Sequence, residues 1–174
     1  MSEESVSWET FYEAVGRGVT AWGLVENALT DLFSRLVICA IRGSILGVGF
    51  DQIWIVSNVL NSISNFGARL QIVEDTFTRL ITDEALRAEW KTVKNKLNDK
   101  YKWRVMLAHG AVAGNEAGAS FIAAPMFSSK DAYYTYDQVA DWPASFKSLE
   151  HRVTELAITA NKHLADKWKA VQSG

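Results

Sequence analysis

The sequence predicts an all-α protein, a bundle of four to five helices with a short irregular or β-hairpin insertion before the last helix. Three observations support this class. Apolar residues recur at helical spacing along most of the chain. The 174 residues include only two prolines, and 48% are hydrophobic and 22% charged. Only residues 111–134 lose the helical period. A chain of this length and composition is expected to fold as one domain, residues 1–174.

The first helix is predicted from near Trp8 to near Arg42, with Ser7 as its N-cap and Gly43 at its end. Glu26 falls on its apolar stripe, which is an unusual position for a carboxylate. The other members of that stripe are expected in the core: Phe11, Val15, Val19, Trp22, Val25, Leu29, Phe33 and Leu36.

Two shorter helices are predicted next. Asp51 is expected to cap the second helix, whose apolar positions are Ile53, Val56, Val59, Leu60 and Ile63. A break near Asn65 and Gly67 separates it from the third, which carries Phe66, Leu70, Val73, Phe77 and Leu80. The glycines between residues 43 and 49 indicate a turn, because no lysine accompanies them as a phosphate-binding loop requires.

The fourth helix is predicted to open at Asp83 and Glu84 and to be strongly basic. Between residues 91 and 104, six cations face one anion, Asp99, for a net charge of +5 in a chain whose total is −2. These cations are Lys91, Lys94, Lys96, Lys100, Lys102 and Arg104. Such a run is either a solvated helix face or a track for a nucleic-acid backbone.

The region after this helix is rich in glycine and alanine. A β-hairpin is predicted there, with strands from Ser120 to Met126 and from Ala132 to Tyr136. Thr135 and Gln138 have the spacing of a capping box for a following helix. Pro143 either kinks that helix early or begins the last one, whose apolar stripe comprises Leu149, Val153, Leu156, Ile158, Leu164 and Trp168.

The segment from Trp103 to Gly110 is the most informative in the chain. Arg104 continues the apolar stripe formed by Leu86, Trp90, Val93, Leu97 and Tyr101. A guanidinium stays charged, so on that stripe it needs a carboxylate, a subunit interface or a bound anion, and Glu26 is the expected counter-ion. His109 ends the helix before Gly110, the expected C′ residue. The negative end of the helix dipole favours an imidazolium there, which suits a proton donor.

This segment resembles the signature of the HEPN family, an arginine followed after four to six residues by a histidine and often a glycine. Arg104, Leu107, His109 and Gly110 match it, and active members usually have Asn, Asp or His where this chain has Val105. Residues 21–29 (AWGLVENAL) and 66–70 (FGARL) are also similar to HEPN segments. The resemblance implies a single HEPN-like helical domain.

The resemblance further implies a homodimeric, metal-independent endoribonuclease whose interface forms the active site. Arg104 and His109 are then the catalytic residues and Glu26 and Lys102 support them. The RNA backbone is expected on Lys91, Lys94 and Lys100. No metal or other cofactor is expected, since the sequence shows no ligand cluster. The expected setting is a toxin or phage-defence effector, with a cognate antitoxin or regulatory protein as partner.

Two other functions remain open at this point. One is a non-catalytic HEPN dimer that serves as an RNA-binding or protein-interaction module. The other is a small-molecule-binding bundle, which would need a large apolar pocket. The acidic amino terminus lacks the features of a signal peptide, and no stretch is long enough to span a membrane, so a cytoplasmic location is expected. Cys39 is expected to be a buried, inert thiol, and His151 and His163 are expected on the surface.

Overall fold

The computed structural model describes residues 6–42, 50–124 and 133–172. Within them the chain forms five α-helices and a small antiparallel sheet that precedes the last helix. The helices are α1 (Trp8–Arg42), α2 (Phe50–Asn61), α3 (Phe66–Leu80), α4 (Glu84–His109) and α5 (Tyr136–Gln172), and the strands are β1 (Ala111–Asn115), β2 (Gly118–Ala123) and β3 (Tyr133–Thr135). A mostly helical fold with a strand insertion is thereby confirmed.

Side-chain caps fix the starts of three helices where the sequence predicts them. Ser7, Asn65 and Asp83 each accept a hydrogen bond from the backbone amide three residues later, at 3.1, 3.0 and 2.9 Å. Each bond satisfies a donor that the first helical turn leaves free. Helix α2 begins at Phe50, so Asp51 lies inside its first turn and not at the predicted cap position. Gly43 lies outside the described residues.

Helix α5 begins before Pro143 and continues through it. The Gln138 side chain accepts a hydrogen bond from the Thr135 amide at 3.0 Å, which is one half of the predicted capping box. Because proline has no N–H, the carbonyl of Val139 lacks its helical donor. Helix α5 therefore includes both the segment before Pro143 and the segment after it, so Pro143 does not begin the last helix.

The sheet has the order β1-β2-β3, with every neighbouring pair antiparallel. The predicted pairing of the two segments before the last helix is confirmed for β2 and β3, while residues 125–132 lie outside the described part of the chain. Strand β1 was not predicted. Two glycines of the β1–β2 hairpin are required by geometry. A Cβ on Gly114 of β1 would overlap the Gly118 carbonyl oxygen, and Gly118 of β2 has φ 149°.

The chain divides into two compact units, one formed by residues 1–25 and 97–148 and the other by residues 26–96 and 149–174. The prediction of a single domain stays a prediction. The core of the first unit includes Phe11, Trp22, Leu107, Ile122, Trp142 and Phe146, and that of the second includes Leu32, Leu36, Val73, Phe77, Leu149 and Val153.

Three positions of the predicted apolar stripes are exposed, not buried. Val19, Val59 and Ile158 are 50%, 58% and 53% exposed. In α1 the small residue Gly18 is buried instead, and a Cβ there would lie 2.7 Å from a methyl carbon of Leu107. Close approach of α1 and α4 therefore selects a residue that hydrophobic periodicity does not detect.

Candidate functional site

The two residues of the HEPN-like signature lie in the last turns of α4. Arg104 is half-buried and His109 is exposed. Five residues correspond to a rotation of about 140° around a helix, so the two side chains leave α4 in different directions. A site that uses both must therefore form around the end of the helix, not along one face of it.

Gly110 fixes the position of that helix end. Its amide donates to the Met106 carbonyl at 2.7 Å, which completes the last turn. A Cβ on this residue would lie 2.5 Å from the same oxygen, 2.8 Å from Cγ1 of Ile122 and 2.9 Å from the Ala123 carbonyl oxygen. Gly110 does not have the positive φ of a C′ glycine, so that expectation was wrong. Glycine is needed here because α4 passes directly into β1, which lies against β2. This tight junction holds the His109 backbone in place.

The Arg104 guanidinium has no hydrogen bond or ion pair with any of the described residues. The carboxylate expected opposite it, Glu26, instead pairs with Arg69 at 3.2 Å. The side chains of Arg69 and Glu26 are 12% and 25% exposed, so the ion pair is substantially desolvated. Helix α3 thus supplies a buried cation for Glu26, and the pairing of Glu26 with Arg104, in the same chain or in a partner chain, stays a prediction.

We expect Glu26→Ala to lower the free energy of unfolding by about 1–3 kcal/mol, because it leaves Arg69 without its counter-ion in a largely buried position. Nε of Arg69 is already buried without a hydrogen-bond partner among the described residues. The matched control is Glu13→Ala, which removes a pair with Arg17 whose side chains are 66% and 54% exposed. That change should alter stability by less than about 0.5 kcal/mol. Equal losses of unfolding free energy for the two substitutions in urea would contradict a stabilising, buried ion pair between Glu26 and Arg69.

The lysines of the predicted RNA track have different environments. Lys91 is exposed, whereas Lys94 pairs with Glu74 at 3.4 Å. Lys100 donates to Oγ of Ser145 and lies 4.3 Å from the centre of the Trp103 ring. Lys102 is 76% exposed and weakly paired with Asp99 at 3.7 Å. Lys91 and Lys102 are therefore the most accessible of these cations, and Lys94 and Lys100 also have structural contacts.

An aromatic cluster that sequence reasoning missed supports α4 just before Arg104. The Trp103 ring stacks on that of Trp142, with centres 5.4 Å apart and planes 9° from parallel. Trp142 also meets the edge of Tyr134 from β3, at 5.0 Å. The abundance of tryptophan, seven residues in 174, is the only signal in the sequence that points to this cluster. It joins α4, α5 and the sheet and so stabilises the backbone that carries Arg104.

Among the described residues, no three His, Cys, Asp or Glu side chains are grouped as metal ligands would be. His151 is exposed, as expected, and lies 3.2 Å from Glu155. His163 is half-buried, and its Nε2 is buried with no hydrogen-bond partner in the described part of the chain, so the surface prediction for it was wrong. The buried position of Cys39 is confirmed, with its Sγ 2.8 Å from Oδ1 of Asn161.

The described residues also line two hollows in the unit formed by residues 26–96 and 149–174. One, of about 250 Å³, is mainly apolar, with Arg79 and Lys167 among its lining residues. It is smaller than the roughly 300–1,000 Å³ of typical ligand pockets. The other, of about 800 Å³, is lined mostly by polar and charged side chains of α3. Neither of these two is a large apolar pocket of the kind that a small-molecule function would need. A third hollow, mainly apolar and of about 530 Å³, lies along α1 in the other unit and is wide open to solvent.

Comparison of the chain with protein-family models, with curated proteins and with solved structures gives no match. The resemblance to HEPN proteins therefore rests on the Trp103–Gly110 segment and on the two similar segments upstream. In the helices that the structure describes, none is sufficiently long and apolar to cross a membrane.

Proposed function

We propose that this protein is a metal-independent endoribonuclease of HEPN type that acts as a homodimer, with Arg104 and His109 as its catalytic residues. The observation that carries the proposal is the half-buried Arg104 guanidinium, which has no counter-ion among the described residues and lies five positions before an exposed histidine. A partly desolvated arginine favours a bound anion, and its planar donors match two phosphate oxygens.

The chemistry follows from what RNA cleavage requires without a metal. The 2′-hydroxyl loses its proton and attacks the adjacent phosphorus, while the bond from phosphorus to the 5′-oxygen breaks and that oxygen gains a proton. The products are a 2′,3′-cyclic phosphate and a free 5′-hydroxyl. Arg104 stabilises the negative charge that builds on the phosphate oxygens, and His109 transfers a proton.

A single histidine provides one of the two proton transfers. Two copies of the site, brought together across a two-fold axis, provide a proton acceptor and a proton donor as well as two guanidinium groups. The proposal therefore needs the dimer. In the proposal, Glu26 and Lys102 support the site. The RNA backbone contacts Lys91, Lys94 and Lys100.

We expect a symmetric dimer, because only a second copy would complete the site. Light scattering at micromolar protein concentration should give twice the 19.4 kDa mass of the chain. Arg104→Ala should weaken the dimer if the interface buries this side chain, while Lys91→Ala, which changes an exposed cation on the same helix, should leave the dimer mass unchanged. A monomer at these concentrations would contradict the composite site.

The proposed setting is a cytoplasmic toxin or phage-defence effector, with a cognate antitoxin or regulatory protein as its partner. This part of the proposal rests on the HEPN resemblance alone. Co-expression with a candidate inhibitor should restore growth to cells that express the wild-type chain. Cells expressing His109→Ala should need no such inhibitor.

A non-catalytic HEPN dimer is the second candidate, and two features favour it. Val105 occupies the position at which active members usually have a polar residue, and Lys94 and Lys100 have intramolecular contacts that reduce their availability to RNA.

Cleavage of a labelled single-stranded RNA in excess EDTA distinguishes the two candidates. The enzyme proposal predicts cleavage by the wild-type chain and none by His109→Ala. A well-formed dimer that binds RNA without cleaving it would support the non-catalytic module instead.

A further inference from the structure

One face of the β1-β2-β3 sheet carries an aromatic pair. The register aligns Ala111 with Ala123 and Tyr133, and Ala113 with Phe121 and Thr135. Side chains on a strand alternate between its two faces, so these residues share one face, here called the outer sheet face. The opposite face is the packed one, since Ile122 is 1% exposed and Tyr134 contacts Trp142.

The aromatic rings on the outer sheet face are accessible. Tyr133 is 64% exposed and Phe121 is half-buried. Their ring centres are 5.9 Å apart with the planes at 64°, so the edge of one ring meets the face of the other. Tyr133 is the more exposed of the two, so most of its ring surface is accessible for stacking. The surrounding residues of the outer sheet face are alanines and a threonine, which carry no charge that would repel a phosphate.

The outer sheet face begins next to the proposed catalytic histidine. His109 is separated from Ala111 by Gly110 alone, and Gly110 packs against the Ala123 carbonyl oxygen. Ala123 pairs in turn with Tyr133. Two strand spacings place Tyr133 about 10 Å from Ala111. A single binding domain contacts about 4–16 nucleotides of single-stranded nucleic acid. A strand of that length is long enough to reach from His109 to Tyr133.

We propose that Phe121 and Tyr133 form a stacking platform for an unpaired base of the RNA strand that is cleaved at His109. This inference rests on the proposed function and adds to it a surface on the sheet that binds a base. Bases within a duplex are stacked on each other and cannot lie on a protein ring, whereas the bases of single strands and loops can. Stacking tolerates different sequences because every base has a flat aromatic face, so the platform would give affinity without strong sequence preference.

The experiment measures binding of a fluorescein-labelled ten-nucleotide oligoadenylate by anisotropy, in the His109→Ala background so that the probe stays intact. Tyr133→Ala should weaken binding by about 10-fold, the effect of losing one stacked base. Tyr133→Trp should restore it, because the larger ring also stacks. The matched control is Tyr12→Ala, which removes another exposed tyrosine, 56% exposed, that lies on α1. A ribose-phosphate oligomer without bases should bind equally to the parent protein and to its Tyr133→Ala variant.

The outcomes separate the platform from the ribonuclease itself. If the wild-type chain cleaves single-stranded RNA and Tyr133→Ala leaves binding unchanged, the platform is overturned and the ribonuclease stands. Equal weakening for the oligomer without bases would also overturn it, since the loss would not concern a base. If Tyr133→Ala changes only the dimer mass, the outer sheet face is a protein interface. If the wild-type chain neither binds nor cleaves RNA, both proposals fail.

Discussion

Replacing His109 by alanine is expected to reduce RNA cleavage at least about 100-fold, the usual contribution of a general acid or base. The imidazole is the only proton-transfer group that the HEPN resemblance identifies in the site. Because this side chain is exposed at the end of α4, its loss should change the free energy of unfolding by no more than about 1 kcal/mol. Initial rates on a single-stranded RNA and a urea unfolding curve test both parts.

The matched control is His151→Ala, which removes an exposed histidine on α5 that lies beside Glu155. Its cleavage rate should equal that of the wild-type chain. Arg104→Ala should lose activity as His109→Ala does, and Arg104→Lys should recover only part of it, because lysine keeps the charge but not the two parallel donors. Cleavage within a few-fold of wild type in His109→Ala would remove this residue from the mechanism.

Replacing Gly110 by alanine is expected to damage both stability and activity. Its new Cβ would lie 2.5 and 2.9 Å from the carbonyl oxygens of Met106 and Ala123. Both are backbone atoms, so the end of α4 or strand β2 has to shift. We expect a loss of about 1–3 kcal/mol in unfolding free energy, as for other overpacked sites. A displacement of about 1 Å at His109 would lower cleavage by about 100-fold.

Gly16→Ala is the control for this prediction, since nothing lies within 4 Å of a Cβ at that position in α1. Alanine costs less than glycine in a helix, so this variant should be more stable by as much as about 1 kcal/mol and equally active. Thermal unfolding and cleavage rates of the two variants form the comparison. Wild-type stability and activity in Gly110→Ala would show that the junction between α4 and β1 does not hold His109 in place.

Helix positions were predictable from the sequence because local signals determine them. The first helix follows from apolar periodicity and the Ser7 cap, and its bounds in the structure, Trp8–Arg42, are those predicted. Strand β1 was missed because Ala111–Asn115 contains small residues and no β-branched run. Its strand conformation comes from pairing with β2, which the local sequence does not encode. Val19 was assigned to the core although, at 100° per residue, it lies about 80° from Phe11 and so at the edge of the apolar stripe.

The positions of Arg104 and His109 at the end of α4 were predictable, but the ion pair of Glu26 was not. The spacing of Arg104 and His109 could be read directly, and their places at the end of α4 followed from helix length. The ion pair of Glu26 could not, because sequence reasoning does not tell which of several cations a folded chain brings to a carboxylate. Arg69 lies between buried Phe66 and Leu70, and this position was the available signal that it points inward.

The most direct test of the central claim is the chemistry of the ends that the protein leaves on RNA. A purified wild-type chain, incubated with a defined single-stranded oligoribonucleotide in excess EDTA, should produce fragments that end in 2′,3′-cyclic phosphate and begin with a 5′-hydroxyl. Mass spectrometry of the fragments distinguishes these ends from others. Fragments with a 3′-hydroxyl and a 5′-phosphate, or intact RNA in the presence of a well-formed dimer, would contradict the proposed roles of Arg104 and His109.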